Sequence, residues 1–64
     1  MAWIKVTNIN GRERLINTND IDYIHDEEDK TEIEFNDRTS MSVQEKVSKI
    51  NYLIYLAESG VYVH

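Results

Sequence analysis

At 64 residues the chain can hold one domain, and a domain of this size buries only about 60% of its unfolded surface, so its core is marginal. It has no cysteine and no metal-ligand pattern, so neither disulfides nor a structural zinc staples that core; self-association is the remaining common route to more burial. Seven Lys and Arg against twelve Asp and Glu give a net charge of −5, which disfavours non-specific nucleic-acid binding and suits either solubility or an acidic face for a basic partner.

Residues 2–7, AWIKVT, alternate, with Ala2, Ile4 and Val6 on one side and Trp3, Lys5 and Thr7 on the other. The pattern predicts a strand with Ile4 and Val6 inward. Asn10-Gly11 is a strong hairpin signal, because both residues tolerate the positive φ of a type I′ turn. Arg12 to Ile16 is then the return strand. Leu15 and Ile16 are adjacent and face opposite sides, so one of them lies at the edge of the core; Leu15 is taken as the core residue.

Asn17 to Asp20 is a polar turn whose side chains can bond their own backbone. From Asp20 to Phe35 the chain alternates, passes through four consecutive carboxylates, Asp26 to Asp29, and alternates again. This is a central hairpin with an exposed acidic tip. Thr31, Ile33 and Phe35 share one face of its second strand, and Glu32 and Glu34 the other. Ile21 and Ile24 are three apart, which a regular strand cannot bring to one face. An irregularity near residues 20–22 is expected, either a turn of helix or a bulge, with Ile24 inward.

Asn36 to Thr39 is another turn, and Thr39 to Ser42 a short last strand with Met41 inward. Ser42-Val43-Gln44-Glu45 has the form of a capping box. Val43, Val47, Ile50, Ile54 and Ala57 make one apolar helical stripe, and Gly60 suits the left-handed position that ends a helix. The expected fold is α+β, one domain over residues 1–64. A curved antiparallel sheet of about five strands fills 1–42, a helix spans 43–59, and 60–64 is a strand-like tail. The predicted core is Ile4, Val6, Leu15, Ile24, Ile33, Phe35, Met41, Val43, Val47, Ile50 and Ile54.

Catalytic, metal and cofactor motifs are not found. His25 reads as a surface residue beside Asp26, and His64 is the last residue. Ser40, Ser42, Ser48 and Ser59 have neither an elbow nor a partnered base. The acidic run is contiguous and lacks the glycine on which a calcium loop turns. With only Gly11 and Gly60 in the chain, there is no Gly-rich phosphate cradle.

One feature rises above this background. Tyr52, Tyr55 and Leu56 lie on the helix side opposite the Val43–Ile50–Ile54 stripe, and Val61, Tyr62 and Val63 follow as an apolar tail. Together these six predict a protein interface, and a homodimer or larger assembly. Asp26, Glu27, Glu28, Asp29, Glu32 and Glu34 form the expected acidic face toward a partner. Without an apolar run of about 18 residues or a signal-peptide pattern, a cytoplasmic location is expected.

Ile4-Lys5-Val6-Thr7, Asn10-Gly11-Arg12-Glu13, Ile16-Asn17, Asp20-Ile21, Ile24 and Asp29-Lys30-Thr31 with Ile33 and Phe35 resemble the FlbD/SwrD family of small bacterial proteins. The resemblance runs from about Ile4 to Ile50 and implies a flagellar accessory role. The family usually has a glycine in the second turn, where this chain has Asn36-Asp37-Arg38. Small phage and mobile-element proteins share the pattern. The preferred function, reached by elimination from the small size, the acidity and the missing chemistry, is a non-enzymatic, stoichiometric protein-binding module, a phage or mobile-element inhibitor or modulator of a host bacterial system. The third reading, a sponge that binds a nucleotide signal in a pocket between subunits, requires Lys5, Arg12, Arg14 and Arg38 to converge on the ligand phosphates.

Overall fold

The computed structural model describes residues 2–59; Gly60 and the tail residues Val61, Tyr62 and Val63 lie outside the described residues. The element order is β1 (Trp3–Thr7), β2 (Glu13–Asn17), a 3-10 turn (Thr18–Asp20), β3 (Ile21–Asp26), β4 (Thr31–Phe35), β5 (Ser40–Val43) and α1 (Val47–Ser59). The architecture is α+β, as expected, but the strands form two sheets rather than one, β1-β2 and β3-β4-β5, all antiparallel.

The two sheets meet at a corner. A single bridge joins Asn8 to Val43, flanked by the Ile9 N–H to the Ser42 carbonyl at 3.1 Å and the Gln44 N–H to the Thr7 carbonyl at 2.8 Å. Pairing stops there because the chain turns away on both sides, into the first hairpin loop and toward the helix.

That hairpin loop differs from the expected type I′ turn. The Asn8 N–H bonds the Arg12 carbonyl at 2.8 Å, enclosing Ile9, Asn10 and Gly11, and of these only Gly11 has positive φ, +88°. This is a three-residue loop with glycine at its left-handed position. The Asn8 side-chain oxygen braces it, accepting from the Asn10 and Arg12 N–H groups at 3.0 Å each. The extra residue decides which face of β2 is buried. A two-residue turn at Asn10-Gly11 would pair Val6 with Leu15; the observed register pairs Val6 with Arg14 and Ile4 with Ile16. Ile16 is therefore in the core and Leu15, predicted there, is 68% exposed.

The irregularity expected near residues 20–22 takes both forms. The Asn17 side chain caps the 3-10 turn by accepting from the Asn19 N–H at 3.0 Å. A bulge then falls between Ile21 and Tyr23, so that Ile21 pairs with Phe35 while Tyr23 pairs with Glu34. The extra residue, Asp22, lets Ile21 and Ile24 both reach the core although they are three apart.

The core cluster is Ile4, Val6, Ile16, Ile33, Val43 and Ile50, with Ile21, Ile24, Phe35, Met41, Leu53, Ile54 and Ala57 packed against it. The helix lies against β1 and β3. It starts four residues later than predicted. Val43 pairs with Thr31 and ends β5, and the expected capping box is not formed. Ser42 is a strand residue opposite Glu32, and the Glu45 carboxylate is committed to β1, accepting the Thr7 N–H at 2.8 and 3.0 Å. Val47, predicted in the core, is only half-buried. Among the described residues no helix is long and apolar enough to cross a membrane.

Candidate functional site

Strand pairing places side chains in rows. Thr31, Ile33 and Phe35 point inward, so Glu32 and Glu34 point out, and their partners across the ladders point out with them. His25 and Ser42 flank Glu32; Tyr23 and Ser40 flank Glu34. The outer face of the three-stranded sheet is thus a polar grid of six side chains. It exists because of the bulge at Asp22, which reverses the alternation of β3 and turns Tyr23 and His25 outward.

Within this grid His25 Nε2 lies 2.9 Å from Glu34 Oε2. The His25 ring meets the Tyr23 ring edge-on, with centroids 4.3 Å apart. Donor atoms of His25, Glu32 and Glu34 all lie within 4.8 Å of one another, and all three residues are half-buried. Hydrogen bonding from the Tyr23 hydroxyl, and then from His25, holds the Glu34 carboxyl below its usual range. The same bond to Glu34 raises the Tyr23 phenol, helped by partial desolvation and by the surrounding carboxylates. Nothing in the sequence alone singles out Tyr23, and His25 reads there as a surface residue beside Asp26. Period-two alternation pairs Tyr23 with His25 and Glu32 with Glu34 on their own strands, but only the register brings the two pairs together.

The expected acidic face divides. Glu32 and Glu34 belong to this grid. Asp26, Glu27, Glu28 and Asp29 are exposed at the hairpin tip, where the Glu27 N–H bonds the Lys30 carbonyl at 2.9 Å, and they line a cleft with Lys46, Val47 and Ser48 at the start of α1. Carboxylates near a helix N-terminus are favourably placed relative to its dipole.

A second surface is apolar. The outer face of the β1-β2 hairpin carries Trp3 and Leu15, 56% and 68% exposed. Together with Leu53 and Ala57 of α1 they line a groove whose polar rim is Lys5, Glu13, Glu45 and Lys49. Lys5 and Glu13 form a solvated ion pair across the hairpin at 3.3 Å. Of the predicted helix interface, Tyr52 and Tyr55 are exposed, at 58% and 67%, whereas Leu56 is buried at 7%. Leu56 is therefore corrected from an interface residue to a packing residue. Its side adjoins the Leu53–Ala57 border of the apolar stripe, which is broader than the residues chosen to define it.

Within one chain the four cations named for a nucleotide sponge lie apart, so only a pocket between subunits could bring them together. Lys5 faces outward from the hairpin beside Leu15, Arg14 pairs with Val6 on the opposite face, and Arg12 closes the first loop. Arg38 sits in the turn between β4 and β5, at the far end of β5 from the Val43 bridge. No protein-family model, curated protein or solved structure matches this chain.

Proposed function

We propose that this chain is a non-enzymatic protein-binding module that acts stoichiometrically on a partner inside a bacterial cell, as an inhibitor or modulator of that partner. The observation that carries this reading is the exposure of Trp3 and Leu15 beside the Leu53–Ala57 groove. A domain with so small a core has few large apolar side chains, and leaving Trp3 and Leu15 in water lowers no energy in the isolated chain. Contiguous apolar patches rimmed by charge are the usual form of a protein contact, and Trp is an enriched anchor in such contacts. The acidic tip, Asp26 to Asp29, steers a basic partner toward the molecule.

The test is capture from bacterial lysate with the parent chain and with Trp3→Ser/Leu15→Ser. Both changes are on the exposed hairpin face, so the fold is retained. A discrete protein held at about one copy per chain by the parent, and released by the double variant, supports the proposal. Equal capture by both chains, or none by either, overturns it. If the protein held by this surface is a flagellar component, the role is that of a flagellar accessory protein.

A further inference from the structure

We propose that His25, Glu32 and Glu34 form a divalent-cation site of the zinc class on the outer face of the three-stranded sheet. The chain has no metal-ligand spacing along its sequence, but β3 and β4 assemble one across the ladder. His25 stands directly opposite Glu32, and Glu34 follows two residues along on the same face. One donor atom from each residue falls within 4.8 Å of the others. Tetrahedral zinc with bonds of about 2.0–2.2 Å sets its ligand atoms about 3.4 Å apart. His25 Nε2 and Glu34 Oε2 are 2.9 Å apart, and the Glu32 donor atom lies within 4.8 Å of both, so the three ligands start close to that spacing.

The donor set selects the ion. One imidazole and two carboxylates suit zinc and its first-row neighbours, whereas calcium and magnesium take oxygen donors almost throughout. Three protein ligands leave a fourth position for water. The Tyr23 ring meets the His25 ring edge-on, with centroids 4.3 Å apart, and so limits the orientations that the imidazole can take. Strand residues hold ligands more firmly than loop residues do. Near the site, the Asp26–Asp29 tip adds a negative field that concentrates cations.

Titration of the tag-free full chain with zinc chloride, read by calorimetry and by the imidazole proton signals, tests the site. One equivalent per chain is expected, with the His25 ring signals shifting, while calcium at the same concentration leaves them unmoved. His25→Gln and Glu32→Gln should each weaken binding by about tenfold or more. Both positions are on the outer face, and dispersed amide spectra will show that the variants fold. His64→Gln and Glu27→Gln/Glu28→Gln should bind zinc like the parent. Absence of binding up to about millimolar zinc, or binding that survives His25→Gln and is lost with His64 or the tip carboxylates, overturns the assignment.

Discussion

The Glu45 carboxylate accepts the backbone N–H of Thr7 through both oxygens, at 2.8 and 3.0 Å. A side chain thereby continues the corner where β1 meets β5, just beyond the Asn8–Val43 bridge. Glu45→Ala removes a charge-assisted bond and leaves a half-buried strand N–H without a partner. The expected cost is about 1–2 kcal/mol, read as a lower urea midpoint with an unchanged slope. An unchanged midpoint would mean that the backbone bonds of the corner suffice without it.

The same contact predicts a pH dependence. Partial burial pushes the Glu45 carboxyl up, but the hydrogen bonds from Thr7, with help from Lys49, outweigh that and hold it below its ordinary value. A carboxylate depressed in the folded state contributes stability that is present above its unfolded pKa and is lost as pH falls through the folded one. Asp37, lowered by its bonds to Thr39, acts with the same sign. Stability should therefore drop as the pH falls below about 4.5, the ordinary glutamate value. Glu45→Gln should flatten that drop; equal slopes in the two chains would remove Glu45 as its source.

Two loops of the same design favour glycine at the same position, which one of them has and the other lacks. Around Arg38 the Phe35 N–H bonds the Thr39 carbonyl at 2.9 Å, enclosing three residues as in the first hairpin, but the left-handed position holds Arg38 at φ +74° instead of a glycine. A side chain in this region costs roughly 1–2 kcal/mol, and glycine's greater freedom in the unfolded chain offsets part of that. Arg38→Gly should stabilise the protein by about 0.5–1 kcal/mol. Gly11→Ala should cost about 1 kcal/mol through backbone strain alone, since no atom lies within 4 Å of an added Cβ. Thermal melts of the pair check both signs.

The turns also explain what the sequence could and could not disclose. Ile21 and Ile24 fall three apart, and that spacing requires an irregularity near residues 20–22 without saying whether it is a turn of helix or a bulge. Leu15 and Ile16 offered no such constraint. Alternation says they face opposite ways, and the choice depends on whether the Asn10-Gly11 loop holds two residues or three, which both residue types permit. Glu45 three residues after Ser42 matches a capping box, and only the proximity of Thr7, far away in sequence, diverts it. His25 and Glu34 become neighbours through a register set by the length of the Asp26–Asp29 tip. Two of these misses turn on the length of a hairpin loop, and the third on a partner, Thr7, that is distant along the chain.

Ile33 and Ser42 separate the core from the cap that did not form. Ile33 is fully buried and paired on both sides, with Ile24 and Met41. An unpaired charge there costs several kcal/mol, comparable to a total stability of about 5 kcal/mol, so Ile33→Asp should be unfolded at 25 °C. Ser42→Ala, at a strand position on the polar face, should change stability by less than about 0.5 kcal/mol. Circular dichroism melts distinguish the two. A loss near 1 kcal/mol for Ser42→Ala would restore it as a helix cap.

We expect the chain to self-associate through the helix. Tyr52 and Tyr55 are one turn apart and more than half exposed, on the side of α1 that its own sheets do not cover, because a helix packed on a sheet buries one side only. A pair of exposed tyrosines at this spacing supplies large contact area with little side-chain entropy to lose. Twofold symmetry would set each pair against its equivalent and double the gain. Leu56 drops out of the test, because its burial makes Leu56→Glu a folding lesion rather than an interface lesion. The informative variant is Tyr52→Glu/Tyr55→Glu, which places four like charges face to face in a symmetric contact. Sedimentation at micromolar concentration should show a dimer for the parent and a monomer for this variant. A monomeric parent would end the proposal. A dimer that persists in the variant would move the interface to Trp3 and Leu15, and the hairpin double variant Trp3→Ser/Leu15→Ser would then dissociate it.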